Sequence, residues 1–148
     1  MSEQSFINII NEKLTGDSQR NALKFIAFCT ANEIRLAFNN RDKNGGDFGN
    51  NVGYIWIDGE KPQRPYVIFF NYHDFGGEDS VDNELKESVW TNVNICKRCH
   101  DGWETCGGGN DVVFFGKTFE NTCNSPLAFT NPDINDLENI KKLLLGRV

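Results

Sequence analysis

The chain has 148 residues, 39% hydrophobic and 12% aromatic, and sets 15 Lys plus Arg against 21 Asp plus Glu for a formal charge of −6. That length suits one domain able to bury a core without a metal or disulfides for bulk stability, and the composition excludes a disordered chain. The acidic balance, with no basic stripe to neutralise phosphates, argues against nucleic-acid binding.

The opening "MSEQSFINIINEKL" is acidic and amphipathic and lacks the basic start and apolar run of a signal peptide. No apolar stretch approaches the roughly 20 residues of a membrane span, so the expectation is a soluble, cytoplasmic protein with no membrane contact. Phe6, Ile7, Ile10 and Leu14 recur at helical spacing, which predicts a helix over residues 3–14 ended near Gly16. A second helix follows, with Asp17 or Ser18 as cap, Ala22, Phe25, Ile26 and Cys29 as its buried stripe and Asn32 as a left-handed C-terminal residue. Cys29 there reads as a small hydrophobe.

From Glu33 the period becomes two, with Ile34, Leu36 and Phe38 on one side of a half-buried strand. "NNRDKNGGDFGNN" then predicts a long turn or flap tolerant of positive φ; it lacks the Lys and Ser/Thr of a phosphate-cradling loop. "VGYIWID" and "YVIFFNY" form two strands joined by a Pro-containing turn. A helix over Val81–Val93 places Val81, Leu85 and Val89 on one face beside Trp90. After a cysteine-rich loop, "DVVFFGKTFENTC" is a strand or hairpin and "PLAFT" a short strand. The last helix takes Asn131 as N-cap, Pro132 in its first turn, Asp133 against the dipole, and Ile134, Leu137, Ile140 and Leu144 as its apolar stripe. The fold class is a single α+β domain over 1–148, an antiparallel sheet with helices packed on one face and a cysteine-rich metal-binding loop.

Four of the five cysteines lie between Cys96 and Cys123. Cys96-Lys97-Arg98-Cys99-His100 matches a haem attachment motif, but no export signal accompanies it, and Met1 and His73 are poor candidates for a second axial ligand. A redox dithiol of Cys96 and Cys99 fits the spacing, yet such dithiols open a helix after a strand, whereas this pair follows a helix. Metal accounts for more of the pattern: C-x2-C, six residues to Cys106 and sixteen to Cys123 supply four thiolates, the number a tetrahedral zinc needs, with His100 as an alternative ligand. Glycines at 102 and 107–109 let backbone approach the sulfurs, and Lys97 and Arg98 offset the excess negative charge. A fully ligated ion has no open position, so this zinc is expected to be structural.

"FGKTFENTC" followed by "LAFTNPDINDLENIKKLL" resembles the C-terminal region of small bacterial proteins without an assigned activity, which carry a cysteine pair, a G-K-x-F-x-x-x-C strand and an N-P-D-initiated terminal helix. The resemblance covers about the last third of the chain. It implies that Cys96, Cys99, Cys106 and Cys123 act together and places Gly116 and Lys117 in the recurring strand; it implies no activity.

Other chemistry is sparse. His73, with Asp74, Glu78 and Asp79 near it in sequence, has the makings of a general base, and Tyr54, Trp56, Tyr66, Phe70 and Tyr72 could line an aromatic pocket beside it, closed by the loop at 44–51. The bland readings are a hydrogen-bonded loop histidine and core aromatics, with Lys141 and Lys142 as solvated helix charges. The sequence therefore predicts a non-catalytic binding or regulatory module with a structural zinc, its small-molecule or protein partner and its oligomeric state unspecified. The alternatives are an enzyme acting on a small molecule near His73 and a thiol redox sensor using Cys96 and Cys99.

Overall fold

A computed structural model describes residues 2–38, 44–58, 64–71, 81–96 and 109–147. In chain order its elements are α1 (Ser2–Lys13), α2 (Gly16–Ala31), β1 (Leu36–Phe38), β2 (Gly45–Phe48), β3 (Gly53–Ile57), β4 (Tyr66–Phe70), α3 (Asn83–Thr91), β5 (Val93–Ile95), β6 (Asn110–Phe114), β7 (Lys117–Thr130) and α4 (Ile134–Arg147). The seven strands form one antiparallel sheet, ordered β1-β2-β3-β4-β7-β5 with β6 also paired to β7, so the α+β class and the antiparallel sheet are as expected.

Register decides which face of each strand is buried. Gly46, Ile55, Ile68 and Phe129 stand in one transverse row, and Phe48, Gly53, Phe70 and Leu127 in the next. Both rows are buried and join a core with Phe6, Ile10, Phe25, Ile26, Leu85, Val89, Leu137 and Ile140, so all four helices contribute to one face of the sheet. Phe25, Phe48, Phe70 and Phe129 meet edge to face in sequence, with centroids 5.3, 5.6 and 6.1 Å apart, linking α2 through β2 and β4 to β7. Gly53 leaves room for this packing, since a Cβ there would collide with the Phe48 ring.

The helix ends correct several sequence expectations. The backbone of α2 closes with Glu33 N–H donating to the Thr30 carbonyl (3.2 Å) and Ile34 N–H to that of Cys29 (2.8 Å). Its left-handed residue is therefore Glu33 (φ 57), not Asn32, and Thr15 occupies the N-cap without a side-chain bond, in place of Asp17 or Ser18. At α4 the N-cap is Asp133, not Asn131: Asp136 N–H donates to Asp133 Oδ1 (2.9 Å) and Asp133 N–H returns the bond to Asp136 Oδ2 (3.0 Å), a reciprocal box. Asn131 instead turns the chain in the left-handed region, and Ile134, expected in the apolar stripe, is 52% exposed. Asp82 caps α3 by accepting from Leu85 N–H (2.7 Å).

Three strand assignments also differ. The expected flap at 44–51 contains β2, and "NVNI" supplies β5 directly after α3. "KTFENTC" and "PLAFT" belong to one strand, β7, with Gly116 in the turn before it and Lys117 as its first residue. Lys117 Nζ lies 5.2 Å from the Trp90 ring centroid, while Trp90 Nε1 donates to the Phe114 carbonyl (2.7 Å), pinning the β6–β7 hairpin to α3.

Candidate functional site

Strand β7 is paired on both sides, but not continuously. Leu127 faces β4 and β5, and Thr122 faces β5 and β6. Between them, residues 123–126 have no registered strand partner among the described residues, and this stretch contains Cys123 and the buried Pro126. A proline is tolerated here because no ladder bond needs its missing N–H. Side chains brace the gap: Asn94 Nδ2 donates to the Ser125 carbonyl (2.9 Å), Asn110 Nδ2 to Asn124 Oδ1 (2.8 Å), and Ser125 Oγ to Asn71 Oδ1 (2.6 Å).

Cys96 follows β5 directly. Its N–H donates to the Asn121 carbonyl (2.7 Å), and the Gly109 N–H donates to the Thr122 carbonyl (3.0 Å). Cys96 and Gly109 are thus both tied to adjacent β7 residues, the two that precede Cys123. Asn121 (φ 58) and Gly109 (φ 89) make this approach in the left-handed region, and Thr122 Oγ1 closes it by donating to the Asn110 carbonyl (2.8 Å). Glu120 and Asn121 together oppose the single residue Asp111, a bulge that Asp111 Oδ1 braces by accepting from Asn121 N–H (3.2 Å).

Cys96 and Cys123 are half-buried and neither is in a disulfide. Cys99, Cys106 and the alternative ligand His100 lie outside the described residues, and among the described residues no three His, Cys, Asp or Glu side chains gather to hold a metal. Cys96, just after β5, and Cys123, within β7, therefore come from neighbouring strands, and both are thiols of the soft kind that thiophilic ions take as ligands. Cys29 takes no part: it is fully buried in the core, where desolvation pushes its thiol up to about 12.

The described aromatics offered for a pocket do not share one face of the sheet, and two of them are core residues, as the bland reading has it. Tyr66 and Phe70 point into the helix-covered core, whereas Tyr54 and Trp56 stand on the opposite face, in register with Phe69 and Val67. Strand alternation forces the split, because Tyr54 and Trp56 share strand β3 with the buried Ile55 and Ile57. Tyr66 is further committed: its hydroxyl donates to the Pro132 carbonyl (2.8 Å) and its ionisation is pushed up by burial, with Asp136 and Asp133 adding to the effect. Tyr72, His73, Asp74, Glu78 and Asp79 lie outside the described residues.

The outer face holds a polar notch that sequence reasoning missed, lined by Arg35, Ala37, Asp47, Asn50 and Asn51 and about 150 Å³ in volume. Its only advance signal was the Asn/Gly run, and Gly49, Asn50 and Asn51 do adopt positive φ. No family model, curated protein or solved structure matches the chain. No helix of the described residues is long and apolar enough to cross a membrane.

Proposed function

We propose that this protein is a non-catalytic binding or regulatory module in which Cys96, Cys99, Cys106 and Cys123, with His100 as substitute, hold a structural zinc. The observation that carries the reading is the pair of hydrogen bonds from Cys96 and Gly109 to Asn121 and Thr122. They close the segment that carries Cys99, His100 and Cys106 onto the β7 residues just ahead of Cys123. An ion there would replace the missing ladder along residues 123–126 with metal–sulfur bonds of about 2.3 Å. Four protein ligands leave no position for substrate or water, which is why a binding role is preferred to catalysis. The similarity to small bacterial proteins with a cysteine pair and a G-K-x-F-x-x-x-C strand points to the same ligand set.

Elemental analysis of the purified protein, with thiols titrated before and after denaturation, tests the proposal. About one zinc per chain, with four cysteines protected until the protein unfolds or is chelated, is the expected result. Metal-free folded protein whose cluster thiols react freely, and which gains no zinc on dialysis against the metal, would sink it. Cys96→Ser is expected to lose most of the bound zinc while leaving the helix-covered core folded.

A further inference from the structure

The outer-face notch lies at the β1 edge, at the far side of the sheet from β5. Ala37 and Asp47 are registered partners, so the ladder of β1 and β2 sets both the apolar floor and the carboxylate. Asn50 and Asn51 come from the β2–β3 turn, which Gly49 ties to β1 by donating its N–H to the Arg35 carbonyl (2.8 Å). Arg35 Nη1 donates to Asn50 Oδ1 (2.8 Å), holding the guanidinium at the rim and leaving most of its five N–H donors for other acceptors.

The notch carries one charge of each sign. Among the described residues, neither Arg35 nor Asp47 forms an ion pair, with each other or with any other side chain, although both line the same small space. A purely anionic ligand would meet Arg35 but be repelled by Asp47, and a purely cationic one the reverse; a ligand carrying both signs answers both. An uncharged polyol could bond the Asn50 and Asn51 amides but would bring no countercharge to either Arg35 or Asp47.

We propose that this notch binds a zwitterionic small molecule of the α-amino-acid class. Its carboxylate sits on the Arg35 guanidinium, its ammonium on the Asp47 carboxylate, and the Asn50 and Asn51 amides take its remaining polar atoms. The methyl floor of Ala37 and the notch volume favour a short side chain. No residue is shared with the cysteine end, so this site stands or falls independently of the zinc.

The test is a ¹⁵N-resolved titration of the full chain with L-alanine and L-serine, alongside acetate and methylammonium as single-charge probes and glycerol as an uncharged polyol. The amino acids are expected to shift the amide signals of Arg35, Asp47, Asn50 and Asn51 and to bind at least about tenfold more tightly than either single-charge probe. Arg35→Met and Asp47→Asn should each weaken L-alanine by about tenfold or more without lowering Tm. Ala37→Leu, which fills the notch at unchanged charge, should abolish binding. Glycerol binding as well as the amino acids, charge variants that bind like the parent, or no shift from either amino acid up to about 10 mM would each overturn the proposal.

Discussion

Across β1–β4 and the adjoining half of β7, neighbouring strands are locked by registered apolar rows and a run of edge-to-face phenylalanines, whereas around β5, β6 and the first half of β7 the ladders are bulged and interrupted. There, amide side chains take over the bonds that strand pairing leaves unmade. Hydrophobic burial is non-directional and tolerates its own local errors; a brace of single hydrogen bonds does not. The first region is held by packed apolar side chains, and the second is where the proposed zinc would add its bonds.

The largest expected effect comes from breaking the first region. Phe70→Ala removes a ring that contacts both Phe48 and Phe129, and is expected to lower stability by about 3–5 kcal/mol in urea unfolding. A loss below about 1 kcal/mol would mean that the aromatic row does not hold this half together.

Alkaline pH probes the same core through its buried acids. Cys29 is pushed from 9.0 up to about 12, and Tyr66 is raised too, by burial first. The unfolded chain thus releases these protons at lower pH than the folded one. The resulting stability is fully present below about pH 9 and drains away as pH rises toward 12, by about 2–4 kcal/mol for the thiol. Urea unfolding at pH 7 and pH 11 should show the loss, and Cys29→Ala should reduce it, leaving the part that belongs to Tyr66.

In the second region, Asn94→Ala deletes the donor to the Ser125 carbonyl and should cost about 1 kcal/mol, seen mainly as faster amide exchange in β5 and residues 123–126. Equal acceleration in β3 and β4 would erase the distinction between the two regions. The smallest expected effect is a gain. Glu33→Gly relieves a left-handed non-glycine residue at the end of α2 and should raise stability by about 0.5–1 kcal/mol, visible as a higher Tm.

The same divide separates what was legible in the sequence from what was not. The stripe Ala22, Phe25, Ile26 and Cys29 and the alternation of β3 were readable because periodic burial writes itself into residue order. Strand β2 was hidden, since Gly45 and Gly46 carry no β preference. Their sequence signature is a turn, although added Cβ atoms there would strike the Ile55 and Ala37 carbonyls of neighbouring strands. Pro126 made β7 look like two strands because its missing N–H normally ends a central strand, and only the unpaired stretch around it permits continuity.

The candidate sites divide likewise. Composition and spacing single out Cys96, Cys99, Cys106 and Cys123 as candidate ligands, but only the structure reveals that the carbonyls of Asn121 and Thr122 receive the N–H groups of Cys96 and Gly109. The choice between core aromatics and a pocket was left open because alternation within a strand says nothing about which phase faces the helices, and Tyr54 and Tyr66 fall in opposite phases. Of the notch at Arg35 and Asp47 only the Asn/Gly turn was readable, since its lining depends on that turn returning Asn50 to Arg35, fifteen residues earlier.

Residue-resolved amide exchange of the Cys96 and Gly109 N–H groups, with zinc and then after chelation, tests the proposed zinc site most directly. Chelation is predicted to accelerate both amides by at least about tenfold while those of Ile55 and Ile68 stay unchanged. Equal protection of Cys96 and Gly109 in both states would contradict a metal holding the cysteine segment to β7.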